Sequence, residues 1–338
     1  MIQVGAGAWG SSWAGIVASS SHWELAALVD PDEAALTRVA DAVRVPAERR
    51  FGSLSDAAAA GEADAVLVAV PPRLHGAVAL QALESGFHCL AEKPLATSIG
   101  ESQQVVKRAH EAGLLLMASQ NFRFERGYRT VQALLANRAI GEVGAVWIDF
   151  RRAPLFVGFR LEMEEPLLID MAIHHLDQLR GLGLGRPISL RARSFNPSWS
   201  SFHGNAVATV EVTMEGDSVA SYAGSWAARG PETPWSGAWR LEGGSGAIVW
   251  SGDSVEVFPA EAPPSRLRRL RRRAQERVPL VTLPEVGRAG VLAEFAAAIR
   301  ERREPETSGR DNLGTLRLVF AAVESAQRGE AISLPEAP

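Results

Sequence analysis

The sequence predicts an α/β fold in two parts: a doubly wound parallel sheet first, then an α/β region built on a large, mostly antiparallel open sheet. Three observations carry this expectation. Short apolar runs alternate with helical periodicities over the first 120 residues, that alternation stops near Gln120, and beyond it period-two strand patterns recur between turn residues. A chain of 338 residues has room for two domains of ordinary size. The change of pattern places them at 1–120 and 121–338, with the last helices able to pack back on the first.

Taken in order, Ile2 to Val4 is a strand stub and Trp9 to Ser19 a helix. Glu24 to Val29 reads as a strand, and Asp32 to Val43 as a helix with acidic residues in its first turn, where they suit the dipole. Ala65 to Val70 is a continuous apolar run of the buried-strand type, followed by Pro71-Pro72 and a helix from Leu74 to Ser85 that Gly86 ends. His88 to Ala91, the helix Ser98 to Ala112 and Leu115 to Ala118 complete the first part. The second begins with a helix, Gly127 to Asn137, and an alternating strand, Val143 to Arg152. One helix, Leu167 to Leu182, precedes strands at Ile188 to Phe195, Ala206 to Met214, Val219 to Trp226, Ala238 to Leu241, Ala247 to Trp250 and Val255 to Phe258. Helices at Val291 to Arg302 and Asn312 to Gln327 close the chain.

Composition excludes several classes. A net charge of −4 argues against a nucleic-acid surface, and the one cysteine, Cys89, excludes a disulfide framework or a cysteine-rich zinc site. No apolar stretch reaches the ~18 residues of a membrane span and no signal-peptide pattern opens the chain, so the expected setting is the reduced cytoplasm, away from membranes. The six arginines of Arg266 to Arg273 read as a solvated segment rather than an anionic docking site. Of 35 basic residues only Lys93 and Lys107 are lysine. Arginine does not surrender a proton in proteins and lysine can, which singles out Lys93 at the end of an apolar strand.

Gly5-Ala6-Gly7-Ala8-Trp9-Gly10 lies between the first strand and the first helix. Gly5 permits the tight turn, Gly7 lets backbone approach a pyrophosphate, and Gly10 lets helix pack on strand, while the helix N-terminus presents N–H groups to the phosphates. Asp30 ends the second strand, where its carboxylate would bind ribose hydroxyls and repel a 2′-phosphate, with no adjacent arginine to neutralise one. The pattern predicts a Rossmann domain that binds NAD in preference to NADP.

The glycine turn, Val70-Pro71-Pro72 with His75, Glu92-Lys93-Pro94, and Asp170-Met171-Ala172-Ile173-His174 within the run from Leu168 to Asp177 together resemble the Gfo/Idh/MocA family of oxidoreductases. The likeness runs from residue 1 to about 334, and the segment Pro305 to Asn312 is also similar. It implies a Rossmann domain joined to an α/β domain whose open sheet builds homodimers or homotetramers, and redox chemistry on a sugar, inositol or related polyol. It implies catalytic roles for Lys93, Asp170 and His174, and cofactor contacts from Pro71, His75, Glu92 and Lys93 besides Gly5, Gly7, Ala8, Trp9, Gly10 and Asp30. Glu164-Glu165-Pro166 departs from the Gly-rich run of many members, so the substrate does not carry over. A redox-neutral NAD-dependent glycosidase and a non-catalytic NAD-binding regulator stand as alternatives.

The residues make chemical sense of these roles. Removing hydride from a carbinol carbon requires the hydroxyl proton to leave as well, so a base must stand close by. Asp170 and His174, four apart on the expected helix, share a face with Asp177, while His175 points about 100° away. The carboxylate can orient the imidazole, and Lys93 can assist the proton transfer. Adjacent histidines on a helix diverge, so no metal site is expected. His75 reads either as a surface residue or as a cofactor contact. Arg123 and Arg160 read either as grips on substrate hydroxyls or as partners of carboxylates. His175 is a candidate substrate contact, and Trp226, at a strand end, a candidate floor for a sugar cleft.

Overall fold

The computed structural model describes residues 1–61, 63–260 and 276–335, so the basic segment Arg266 to Arg273 lies outside the described residues. The first unit comprises Met1–Phe124 and Pro284–Leu316, the second Glu125–Leu283 and Arg317–Pro338.

In the first unit, strands β1 (Ile2–Val4), β2 (Ala27–Val29), β3 (Arg50–Phe51), β4 (Ala65–Val68), β5 (His88–Ala91) and β6 (Leu116–Ala118) form one parallel sheet in the order β3-β2-β1-β4-β5-β6. This is the doubly wound order, with its switch point between β1 and β4. Helices α1 (Ala8–Ala18), α2 (Glu33–Val43), α3 (Leu54–Ala60), α4 (His75–Glu84) and α5 (Ile99–Ala112) make the crossovers. Local chemistry fixes their starts: Asp32 caps α2 by accepting from Ala34 and Ala35 N–H, and Ser98 caps α5 by accepting from Glu101 N–H. The central strands are buried throughout, as their unbroken apolar sequences require. Trp13, Val17, Leu67, Leu90, Met117 and Phe124 meet Val291, Leu292 and Phe295 in one core.

The second unit is built on nine strands: β7 (Val143–Arg151), β8 (Pro187–Phe195), β9 (Val207–Met214), β10 (Val219–Ser225), β11 (Ala238–Gly243), β12 (Gly246–Ser251), β13 (Ser254–Pro259), β14 (Glu276–Arg277) and β15 (Ile332–Ser333). Their order is β14-β13-β12-β11-β7-β10-β9-β8-β15, antiparallel everywhere except between β7 and β10. Residues alternate along β7, with Val146, Ile148 and Phe150 inward and Trp147 exposed. This unit also holds α6 (Arg126–Ala136), α7 (Phe159–Glu162) and α8 (Ile173–Gly181), whereas α9 (Gly287–Glu301) belongs to the first unit; α10 covers Gly309–Arg328.

Several elements depart from the sequence reading. The second strand shortens to Ala27–Val29, and β3 with α3 occupies a stretch where no element is expected. The helix expected over Leu167 to Leu182 is two pieces, a π-helical stretch Leu167–Ala172 followed by α8. Asp170 therefore sits on a widened turn, an arrangement that recurs at functional sites. No described helix is long and apolar enough to cross a membrane.

Candidate active site

The glycine turn is shaped by two close approaches and one open space. A Cβ on Gly5 would lie 2.4 Å from the Ala69 carbonyl oxygen, and one on Gly10 would lie 2.2 Å from the Gly5 oxygen, so neither position accepts a side chain. Gly5 also has φ of 110°, which disfavours any other residue. A Cβ on Gly7 would meet nothing within 4 Å. Gly7 thus leaves room for a ligand phosphate directly over the start of α1. The helix start has no side-chain cap and no acidic residue in its first turn, so its N–H groups and positive dipole end suit an anion. Ala8 and Trp9 begin α1, and Trp9 is 46% exposed.

Asp30 follows β2 beside this turn. Its Oδ2 accepts from Ala6 N–H at 2.6 Å and its Oδ1 from Asp32 N–H at 2.9 Å. The carboxylate is thereby fixed at the end of the strand, and its remaining lone pairs suit ribose hydroxyls. These residues fit a dinucleotide.

At the end of β5, Glu92 Oε1 accepts from Trp13 Nε1–H at 2.8 Å and Oε2 accepts from Lys93 N–H at 3.1 Å. Lys93 is only 9% exposed. Pro71 leads into the short turn before α4. His75 opens α4 and is not a surface residue, being 1% exposed. Its Nδ1 lies 2.6 Å from the Pro94 carbonyl and its Nε2 2.9 Å from the Val70 carbonyl. The imidazole therefore ties the Glu92-Lys93-Pro94 corner to the end of the neighbouring strand. Burial holds it below the ordinary histidine range, against the opposing influence of the Pro94 carbonyl and then of Glu92.

In the second unit, Asp170 and His174 are each 7% exposed. Arg160 donates from Nε to Asp170 Oδ2 at 2.6 Å, and its guanidinium lies over the rings of Phe156 and Phe159. Charge pairing and aromatic packing hold both members in place. The approach to this stretch is braced by groups that spacing alone does not reveal. Glu165 Oε1 accepts from Asn205 Nδ2–H at 2.7 Å and Ser194 Oγ–H at 2.8 Å, and burial raises its pKa despite these donors. Gly204 passes so close to the Met163 and Glu164 carbonyls that a Cβ would lie 2.1 and 2.2 Å from them. Glu164-Glu165-Pro166 is thus a strapped segment rather than a glycine loop.

Three expected substrate contacts have covered surroundings. Arg123 is buried and pairs with Asp311 at 3.0 Å, which selects the carboxylate-partner reading. His175 is fully buried between Phe150 and Tyr222, with Nε2 3.0 Å from the Trp235 carbonyl. Trp226, 2% exposed, stacks on Phe202 and meets Phe156 edge-on. Strand ends and helix faces that look exposed in a list of residues are covered here by aromatic neighbours. Arg288 and Trp13, which the sequence reading does not single out, join the dinucleotide turn through long-range packing.

Fold and turn together define a Rossmann-type dinucleotide-binding oxidoreductase. The description "Oxidoreductase family, NAD-binding Rossmann fold" matches residues 2–120, and "GFO/IDH/MocA C-terminal domain" matches residues 128–249. The chain belongs to the Gfo/Idh/MocA family of oxidoreductases, with NAD as cofactor. It is 29% identical over 346 residues to the uncharacterized protein y4oX of Sinorhizobium fredii, covering 99% of this chain and 96% of that one. It is 28% identical over 324 residues to D-apiose dehydrogenase of Paraburkholderia graminis, covering 92% of this chain and 83% of that one. The crystal structure of an oxidoreductase from Agrobacterium radiobacter in complex with NAD+, L-tartaric acid and magnesium superposes with a TM-score of 0.86 at 26% identity. That comparison covers 98% of this chain and 97% of the other.

Proposed function

We propose that the protein transfers hydride between a secondary hydroxyl carbon of a sugar, inositol or related polyol and the nicotinamide of NAD, with Lys93, Asp170 and His174 managing the hydroxyl proton. The observation that carries this reading is Lys93. In a chain that uses arginine almost everywhere, a lysine lies nine-tenths buried at the carboxyl end of β5, the edge of a doubly wound sheet where dinucleotides bind. Relatives named D-apiose dehydrogenase, 1,5-anhydro-D-fructose reductase and inositol 2-dehydrogenase support the polyol class.

Bound NAD supplies the hydride acceptor. His174 takes the hydroxyl proton, Asp170 favours the imidazolium that results, and Lys93 donates a hydrogen bond to the substrate oxygen as it becomes a carbonyl. Arg160 keeps Asp170 in position through the 2.6 Å bond to its Oδ2. Asp30 sets the preference for NAD over NADP.

The test is Lys93→Arg on a polyol panel followed by NADH absorbance, with aryl glycosides screened for aglycone release. Turnover should fall by roughly 10²–10⁴ while NADH binding changes little. Lys107→Arg is the matched control, since Lys107 is exposed and pairs with Glu111. Near-parental turnover in Lys93→Arg removes Lys93 from the mechanism. Aglycone release without net NADH supports the glycosidase alternative, and NADH binding with no turnover on either panel supports a regulator.

We also infer a homo-oligomer formed through the open face of the nine-stranded sheet. Trp147 stands exposed on the central strand β7 of that face. Trp147→Arg should shift sedimentation toward the monomer, and an unchanged sedimentation coefficient refutes the assignment.

A further inference from the structure

Arg288 brings a cation to the start of α1 without bringing an anion to match it. It is the second residue of α9, and its guanidinium lies 4.5 Å from the ring centre of Trp9 and 5.2 Å from that of Trp13. Nη2 donates to Ser12 Oγ at 2.7 Å. Nη1 is buried and has no hydrogen-bond partner among the described residues. Trp9, Ser12 and Trp13 all belong to the first two turns of α1, whose N-terminal end carries the positive pole of the helix. Two like-signed features side by side are unfavourable unless something negative joins them. Glu92 is the carboxylate in electrostatic range of Arg288, yet its two oxygens already serve Trp13 Nε1–H and Lys93 N–H. Burial pulls the guanidinium below its ordinary range while Glu92 opposes that pull, as expected of a cation short of a counter-charge.

We propose that Arg288 is a cofactor-binding residue whose guanidinium, oriented by Trp9 and Ser12, answers the pyrophosphate of the dinucleotide over Gly7. The open space above Gly7 is the room such an anion needs. The position over the indole preorganises the fork, so little rotamer freedom is lost when the phosphate oxygens arrive. The assignment stands on the dinucleotide site and is independent of which polyol is oxidised. It also gives α9, which follows β7 to β14 in the chain, a direct part in holding the cofactor.

Calorimetric titration with NADH and with ADP-ribose, which keeps the pyrophosphate but lacks the nicotinamide, tests this. Arg288→Met retains an apolar stem over the indoles and removes the charge. It should weaken both ligands by about 10- to 100-fold, the range of one charge-assisted hydrogen bond. Arg288→Lys should recover most of that loss. Ligand-free melting curves report on the fold, and if Arg288→Met melts early, Ser12→Ala serves instead. Removing the hydroxyl that orients Nη2 should weaken ADP-ribose about three- to tenfold. ADP-ribose affinity unchanged in a folded Arg288→Met protein overturns the proposal. A loss seen only in substrate KM assigns the guanidinium to the substrate and overturns it equally.

Discussion

Acidification should destabilise the second unit through His175. Burial pushes this imidazole down to about 4, against a weaker opposing influence from the Trp235 carbonyl. The unfolded chain holds the same group near the ordinary value of about 6.5. Between those values the unfolded state binds a proton that the folded state does not. The stabilising effect is therefore fully present above about pH 6.5 and is lost progressively as pH falls toward 4. The gap of about 2.5 pH units corresponds to roughly 3 kcal/mol, developing at about 1.4 kcal/mol per unit. Because the ring is fully buried between Phe150 and Tyr222, no solvent screening reduces that figure. Equilibrium urea unfolding at pH 7.5, 6.5, 5.5 and 4.5, followed by tryptophan fluorescence, measures the slope. His175→Gln does not titrate and keeps an N–H donor for the Trp235 carbonyl, so it should lose less stability over the same range, even if it starts lower. Subtracting the two profiles removes the carboxylates common to both. Parallel profiles would refute the assignment of acid sensitivity to this residue.

Other substitutions probe the dinucleotide side. Gly10→Ala forces a methyl to 2.2 Å from the Gly5 oxygen and should cost about 1–3 kcal/mol in the melt. Gly7→Ala meets nothing within 4 Å, so it should leave the melt unchanged yet weaken NADH in calorimetry by about tenfold or more. Glu92→Gln presents one oxygen to two donors, Trp13 Nε1–H and Lys93 N–H. The unsatisfied donor should cost about 1–3 kcal/mol, read by scanning calorimetry as a fall of roughly 2–4 °C per kcal/mol. Asp30→Ser removes the carboxylate that would face a 2′-phosphate, and the ratio of NADP+ to NAD+ affinity should rise about tenfold or more in paired titrations.

Much of the first unit is legible because its strands are buried on both faces and its helices are punctuated by caps. His88 to Ala91 is a strand in sequence and in structure, and Gly113, with φ of 66°, ends α5 where a left-handed residue is needed. Arg50–Phe51 and Leu54–Ala60 are hidden for opposite reasons. Two residues are too few to show alternation, and a run of alanines shows no amphipathic period, although Ser53 caps the helix by accepting from Asp56 N–H. At the site, helical spacing brings Asp170 and His174 to notice but says nothing of Arg160, which reaches Asp170 across ten positions of non-periodic chain. The same spacing separates His175 from that pair, and its divergence leads it into an aromatic core. Arg288 and Ser12 lie 276 positions apart, a distance at which only tertiary packing makes neighbours.

The first unit is written in two separated stretches of the gene, and this orders its birth on the ribosome. Val291, Leu292 and Phe295 of α9 complete the core begun by Trp13, Val17, Leu67 and Leu90. When Phe124 has left the exit tunnel, the nucleotide-binding sheet can pair its strands, yet that core still faces water. Translating Glu125–Leu283 occupies roughly 8–30 s at about 5–20 residues per second, and for that interval the nascent domain is an exposed apolar surface awaiting its last helix. For the same reason, a fragment ending at Phe124 should be insoluble, whereas grafting Pro284–Leu316 directly after it supplies the missing wall of the core and shortens the wait to a few seconds.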